Sequence, residues 1–219
     1  YQPIPVLPFH DRALKADRTF KNLLANATVT HLAPKIGTEL AGIQLHELTD
    51  VQKDELALLV AERGVVFFRD QEITIDQQLE LGRYYGPLHV HQNLGHPEKY
   101  PEVLVVENSV ESSERIIKRQ MYDPDNAWHS DVSNERQVTR RTALNMVGVY
   151  AVLKLLYKHI TEGHEFQVRF RWTKNAVALW DNRVTAHYAT FDYLPGNRHA
   201  VRVTTQGEIP YLAHEEEAP

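Results

Sequence analysis

Apolar residues recur at helical spacing through much of the chain and alternate with polar residues towards its C-terminal end. Thr49 and Gln52 have the spacing of a capping box, so a helix is predicted to begin at Asp50. Gly64 is placed to end that helix, and the uninterrupted apolar run over 65–68 predicts a buried strand directly after it. Helical spacing predicts two further helices, over 76–85 and 151–161.

The clearest alternation lies between Phe166 and Trp172, where every second residue is apolar, and it predicts a strand with one buried face. Further strands are predicted over 102–107, 176–180 and 198–204. Strands therefore crowd the C-terminal third, which favours a mainly β fold with flanking helices over alternating β-α-β units. We expect residues 1–30 to form an N-terminal arm and residues 31–219 a single domain.

Composition narrows the classes of site that the chain can hold. The 219 residues are 42% hydrophobic, which suits one domain with a sizeable core, and the net charge of -5 argues against nucleic acid as a partner. No apolar run approaches the ~20 residues of a membrane-spanning helix, so a soluble, cytoplasmic protein is expected. The sequence has no cysteine and 12 histidines, so any metal site must use imidazole and oxygen ligands.

A His-x-Asp pair is the first candidate for such a site. If Trp128–Asp131 is extended, His129 and Asp131 point to the same face and can bind one metal ion together. A distant third histidine would complete the two-histidine, one-carboxylate set that leaves positions open for an oxidant. The pair is common by chance, and a histidine beside a polar aspartate without any metal remains the alternative.

Two arginines on the last predicted strand suggest an anion site. Arg198 and Arg202 are four residues apart and share one face of the strand, roughly 13 Å apart along the backbone. Burying two guanidinium groups is costly unless an anion pairs with them, and their shape suits a dicarboxylate, or a carboxylate with a second anion. The alternative is an edge strand whose arginines lie in water.

Taken together, the motifs resemble those of the taurine dioxygenase-like (TauD/TfdA) Fe(II)/2-oxoglutarate-dependent dioxygenases. The matching segments are Gly64–Arg69, Gly86–His91, Trp128–Val132, Trp180–Arg183 with His187, and Arg198 with Arg202. The resemblance extends from about His31 to Ile209, and it is closest to fungal sulfonate dioxygenases and bacterial alkylsulfatases.

The resemblance implies a double-stranded β-helix (jelly-roll, cupin-like) core and an enzyme that uses Fe(II), 2-oxoglutarate and O2. It implies His129, Asp131 and His187 as iron ligands, Arg198 and Arg202 as 2-oxoglutarate contacts, and His91, Val132 and Arg202 as substrate contacts. The expected substrate is a small organosulfur anion, an alkyl sulfonate or a sulfate ester, oxidised with release of succinate, CO2 and sulfite or sulfate. A homo-oligomer, a dimer or tetramer, is also expected.

Several positions depart from the family pattern. Leu94 stands where the taurine enzyme has an aromatic hydroxyl, and Asp125 where it has an amide, which disfavours taurine itself. Asp131 and His187 are 187 − 131 = 56 positions apart, far fewer than in the family. We therefore expect that segments of the natural protein are missing from this sequence, within 133–142 and near residue 150.

Two alternatives remain open from the sequence. The same iron and 2-oxoglutarate chemistry could act on a small molecule without sulfur, with only the pocket near His91, Leu94 and Asp125 differing. A metal-binding cupin-like barrel without redox activity would instead leave the two arginines without a co-substrate, and failure to bind 2-oxoglutarate would favour it.

Overall fold

The computed structural model describes residues 7–91, 95–122, 128–131 and 149–208. The strands are β1 (Thr28–His31), β2 (Thr38–Ala41), β3 (Val65–Phe68), β4 (Val103–Asn108), β5 (Val177–Trp180) and β6 (Arg198–Val203). The α-helices are α1 (Asp50–Arg63), α2 (Ile75–Tyr85), α3 (Val110–Tyr122) and α4 (Val149–Glu162). In this part of the chain, no helix combines the length and apolar character that crossing a membrane requires.

Helix α1 has the boundaries that its flanking residues predict. The Thr49 hydroxyl accepts the N–H of Gln52, and the Gln52 side chain accepts the N–H of Thr49, so the capping box is complete. Gly64 follows the last turn with a φ of 69°, a left-handed conformation that glycine adopts without steric penalty. The chain can therefore reverse at Gly64 and enter β3 directly.

The larger sheet has the strand order β1-β2-β3-β5, and it carries the main core. Strand β3 lies parallel to β2 and antiparallel to β5, whose register pairs Val65 with Trp180 and Phe68 with Val177. Val66 and Phe68 are fully buried, together with Leu56 of α1. Burial of each such side chain stabilises the fold by about 1.5–3 kcal/mol, so α1 and β3 form a firm base for β5.

The second sheet consists of β4 and β6, which pair antiparallel along six residues. Arg198 lies opposite Asn108 and Arg202 lies opposite Leu104, so the two arginines occupy different ends of one strand. The main chain of His89 extends this region, because its N–H donates to the carbonyl of Thr204 at 2.8 Å. Strand β6 thus brings Arg202 beside the Gly86–His91 segment, while Arg198 lies at the other end of the strand.

One predicted strand is wrong. Phe166 ends a short 3-10 helix, and residues 167–173 have no ladder partner in the described part of the chain. The alternation is present in part of the side chains, since Phe170 stacks on Phe67 at 4.0 Å between ring centroids while Arg169 and Arg171 are exposed, but Trp172 is exposed as well. Alternation of apolar and polar residues in the sequence indicates an extended segment with one face packed on the protein. Such a segment need not be hydrogen-bonded to another strand.

The described residues form two sheets and not a closed barrel, so the jelly-roll core stays a prediction. The four α-helices contain more of these residues than the six strands do, which departs from a mainly β composition. The expected gaps within 133–142 lie outside the described residues, and residue 150 belongs to α4.

Candidate metal centre

The His-x-Asp segment is joined to the chain before β6 by a backbone bridge between two histidines. The N–H of His129 donates to the carbonyl of His187 at 3.0 Å, and the N–H of His187 donates to the carbonyl of His129 at 2.8 Å. His187 follows β5 by way of a turn at 181–184, and that turn is tied to the core because the Asp181 N–H donates to the carbonyl of Gly64. The larger sheet therefore positions both imidazoles.

His129, Asp131 and His187 form a cluster whose ligand atoms all lie within 4.8 Å of one another. The Nε2 atom of His129 is 3.9 Å from Oδ1 of Asp131, and Nε2 of His187 is 3.5 Å from Oδ2. Two donors about 2 Å from one ion can be about 4 Å apart at most, so both pairs can share a single ion. Two imidazoles and one carboxylate are the donors expected of a non-haem Fe(II) site.

The three side chains of the cluster differ in exposure, and the side formed by His129 is the most open to solvent. The Asp131 side chain retains 15% of its accessible surface, whereas His129 retains 52%. A metal ion at this point would be held from the protein side by the carboxylate and approached from solvent past His129. The donor set and its exposed side suit a metal centre that can bind a further ligand from solvent.

Burial lowers the pKa of His187 below its ordinary value, and the nearby Asp131 carboxylate opposes this shift. The positive charges of Arg202 and Arg198 act in the same direction as burial. The combined effect favours the neutral imidazole, which is the form that binds a metal ion. Among the described residues, Nδ1 of His187 has no hydrogen-bond partner.

Arg202 is in direct contact with the metal cluster. Its Nη1 atom donates to Oδ2 of Asp131, and both side chains are largely buried. Arg198, the second predicted anion contact, is half-buried at the far end of β6 and influences His187 through its charge. The structure thus places Arg202 in contact with a ligand of the metal cluster, whereas Arg198 acts on the cluster only through its charge.

A small cavity beside Arg202 contains the predicted substrate contact His91. His89, His91 and His96 line it together with Glu102 and Thr204. The His89 ring is buried and lies edge-on to the His91 ring, with 5.9 Å between centroids. Three imidazoles and a guanidinium at one opening provide N–H donors for an anion. Val132, Leu94 and Asp125 lie outside the described residues.

Two further side chains that tie the His-x-Asp segment to the turn after β5 were missed from the sequence. Asn182 makes two hydrogen bonds with the main chain of Asp131, and the Ser130 hydroxyl donates to the carbonyl of Thr185 at 2.6 Å. The Trp180–Arg183 motif contains Asn182, but nothing in its spacing indicates which atoms the amide contacts. The turn that aims the amide is visible only in three dimensions.

Comparison with known proteins identifies a family model that matches most of the chain. The model for "Taurine catabolism dioxygenase TauD, TfdA family" matches residues 28–149 and 148–204 in two pieces. The Alpha-ketoglutarate-dependent sulfonate dioxygenase of Saccharomyces cerevisiae is 29% identical over 310 residues, which cover 96% of this chain and 75% of the yeast protein. A Schizosaccharomyces pombe protein provisionally given the same name is 32% identical over 303 residues, with 94% and 76% coverage.

The crystal structure of a taurine dioxygenase from Burkholderia xenovorans superimposes with a TM-score of 0.68 at 24% identity. The superposition covers 88% of this chain and 93% of that structure, so the fold is shared.

The alignment with the Schizosaccharomyces pombe protein runs over 303 positions and this chain has 219 residues, so at least 303 − 219 = 84 aligned positions have no counterpart here. The two matched pieces of the family model meet at residues 148–149.

Proposed function

Because the chain belongs to the taurine catabolism dioxygenase TauD, TfdA family, it is an Fe(II)- and 2-oxoglutarate-dependent dioxygenase, and we propose that it oxidises a small organosulfur anion. The proposed substrate class is an alkyl sulfonate or a sulfate ester. This family membership favours the oxygenase over a cupin-like barrel without redox activity.

The observation that carries the proposal is the position of Arg202. Its guanidinium contacts the carboxylate of the metal cluster and also lines the cavity that contains His91. The guanidinium of Arg202 would therefore link an anion bound at the mouth of that cavity to the carboxylate that is proposed to hold the iron. The names of the two yeast relatives, a sulfonate dioxygenase and a protein given that name provisionally, support a sulfonate as that anion.

The proposed iron ligands are Nε2 of His129, Nε2 of His187 and the carboxylate of Asp131. When bound, Fe(II) with 2-oxoglutarate and O2 supplies the oxidising power for hydroxylation, and 2-oxoglutarate leaves as succinate and CO2. The chain's own task is to hold the three donors on one side and to keep His187 neutral. Burial of Asp131 strengthens its attraction for a cation because the surroundings screen charge less than water does.

Arg198 and Arg202 are proposed to bind the two anionic partners. Arg198 would pair with the distal carboxylate of 2-oxoglutarate, because a guanidinium can bind both carboxylate oxygens at once. Arg202 would lie near the other end of the co-substrate and, with His91 and the main-chain N–H of Val132, would bind the sulfonate or sulfate group. These contacts would orient the carbon next to sulfur or to the ester oxygen towards the iron.

The products follow from hydroxylation at that carbon. For a sulfonate, the new hydroxyl group loses its proton, the carbon–sulfur bond breaks with its electron pair on sulfur, and an aldehyde and sulfite form. For a sulfate ester, the carbon–oxygen bond breaks instead, and an aldehyde and sulfate form. One O2 is consumed for each 2-oxoglutarate, with one oxygen atom in succinate and one in the product.

Anaerobic titration with Fe(II) and 2-oxoglutarate tests the site. Formation of the chelate should produce a weak visible charge-transfer band in the wild type, and Arg198→Ala should require far more 2-oxoglutarate to reach it. His199→Ala is the matched control, because His199 is an exposed neighbour on the same strand. Absence of the band in iron-loaded, folded wild-type protein would refute the site assignment.

A substrate panel tests the sulfur assignment. Alkyl sulfonates should release sulfite, and sulfate esters should release sulfate, in proportion to succinate. If neither is released while a carboxylate or another small molecule stimulates succinate formation, the same chemistry acts on a substrate without sulfur.

A dimer or tetramer is expected in solution, and light scattering measures it directly.

A further inference from the structure

The His-x-Asp segment pairs antiparallel with the segment that contains His187, and this pairing ends before Asp131, two residues beyond the histidine bridge. His129 and His187 exchange both backbone hydrogen bonds, and in a regular ladder such pairs recur at every second residue. Asp131 and Thr185 would form the next pair. They do not: the Asp131 N–H donates to Asn182, and the Thr185 carbonyl accepts the Ser130 hydroxyl at 2.6 Å.

The side chain of Asn182 takes the place of the absent strand partner. The main-chain N–H of Asp131 donates to Oδ1 of Asn182 at 3.0 Å, and Nδ2 of Asn182 donates to the carbonyl of Asp131 at 2.7 Å. A primary amide offers an acceptor and a donor side by side, as a neighbouring strand does. Both backbone groups of Asp131 are therefore bound by one side chain.

A turn explains why Asn182 faces Asp131. The Asp181 carbonyl accepts the N–H of Val184 at 3.3 Å and the hydroxyl of Thr185 at 2.7 Å. The Asp181 carboxylate accepts the N–H of Arg183 at 3.0 Å and pairs with its guanidinium. These contacts leave the Asn182 side chain to point towards the His-x-Asp segment.

We propose that Asn182 is a positioning residue for the metal ligand Asp131, an inference that rests on the proposed role of Asp131 as a ligand. Two bonds to the backbone of a single residue fix the direction of its Cα–Cβ bond, and thus the approach of the carboxylate to the metal. Outer contacts of this kind govern metal affinity as well as ligand geometry.

Ser130 provides the matched control. Its side chain lies on the opposite face of the segment from His129 and Asp131, because neighbouring residues of an extended chain alternate. Its hydroxyl ties the same segment to the same turn without acting on a ligand residue. Ser130→Ala therefore removes a comparable structural contact, while Asn182→Ala removes the contact that orients Asp131.

The experiment measures Mn(II) affinity by direct titration and thermal midpoints of the metal-free protein. Asn182→Ala should weaken Mn(II) binding by about 10–100-fold, whereas Ser130→Ala should lower the midpoint and leave Mn(II) affinity unchanged. If Asn182→Ala does not fold, Asn182→Ser serves instead, since serine suits turns but cannot make both contacts. Equal affinities in wild type and the Asn182 variant, or equal losses in the Asn182 and Ser130 variants, would overturn the proposal.

His187→Ala separates this inference from the proposed function. Loss of Mn(II) binding in His187→Ala with wild-type affinity in Asn182→Ala refutes only the role of Asn182. Wild-type affinity in His187→Ala refutes the proposed ligand set, and the role of Asn182 with it.

Discussion

Glu55 is a fully buried carboxylate on α1 that the catalytic site does not use, and its replacement should destabilise the fold. Its oxygens accept the main-chain N–H of Leu23 at 2.6 Å, and the main-chain and side-chain N–H groups of Asn22 at 3.1 and 2.6 Å. No cation forms an ion pair with it among the described residues. Glu55 therefore attaches the segment around Leu23 to α1 through hydrogen bonds.

The loss can be estimated donor by donor. In Glu55→Ala the buried N–H of Leu23 would lack an acceptor, and the half-buried donors of Asn22 would regain part of their bonding from water. With about 1–3 kcal/mol for each unsatisfied buried group, we expect a loss of about 2–5 kcal/mol. Relief from burying a charge offsets only part of this. Glu55→Gln keeps one acceptor and should lose about 1–2 kcal/mol.

Urea unfolding, followed by far-UV circular dichroism and by tryptophan fluorescence, measures these losses. Glu62→Ala is the matched control, because Glu62 is an exposed glutamate on the same helix, and exposed substitutions change stability by about 0.5 kcal/mol or less. The midpoint should fall in the order Glu62→Ala, Glu55→Gln, Glu55→Ala. Equal midpoints for Glu55→Ala and Glu62→Ala would refute the reasoning.

Three further predictions concern the site and its turn. Burial raises the pKa of Asp181, but hydrogen bonds from Arg183 outweigh burial and leave that pKa below its ordinary value. The pair therefore stabilises the fold above the unfolded pKa of about 3.9, and this contribution is lost as pH falls through the folded pKa. Arg183→Met should lower the urea midpoint near neutral pH and have no effect in strong acid; an equal effect at both would contradict this. Arg198→Lys should raise the KM for 2-oxoglutarate more than it lowers kcat, because an ammonium cannot bind both carboxylate oxygens in the guanidinium geometry; a fall in kcat alone would argue against the contact. Removing Fe(II) with a chelator should lower the thermal midpoint of the wild type and leave that of His187→Ala unchanged, since a ligand that binds only the folded state stabilises it.

How much of the fold the sequence predicts depends on whether an element carries its own boundary residues. Helices α1 and α2 begin at threonine-glutamine capping boxes and end at glycines, and both were predicted to within a residue. Helix α3 was missed, although Ser109 accepts the N–H of Ser112 at its start and Val110, Ser113, Ile116 and Ile117 have helical spacing. Strand β1 was missed because all four of its residues are exposed, so no alternation marks it.

The same distinction applies to the candidate site, where single-residue features could be predicted and contacts between distant residues could not. The spacing of His129 and Asp131 indicates two donors on one face, and the resemblance adds His187, because these are chemical features of single residues. The contacts of Asn182 depend on a turn, on the departure of Asp131 from its ladder and on the position of Thr185. Such contacts arise from packing, so no pattern within the motif could predict them.

Asp131 lies where the two sheets meet, and this explains why so many polar contacts converge on it. Its backbone is bound by Asn182, which follows the larger sheet, and its carboxylate is bound by Arg202 of the two-stranded sheet. A shift of either sheet would therefore move the carboxylate relative to His187 or relative to the cavity beside Arg202. Geometry at the proposed metal site and geometry at the proposed anion site are thus set by the same residue. Substitutions that loosen the contact between the sheets should impair iron and substrate binding together, even when they lie far from both.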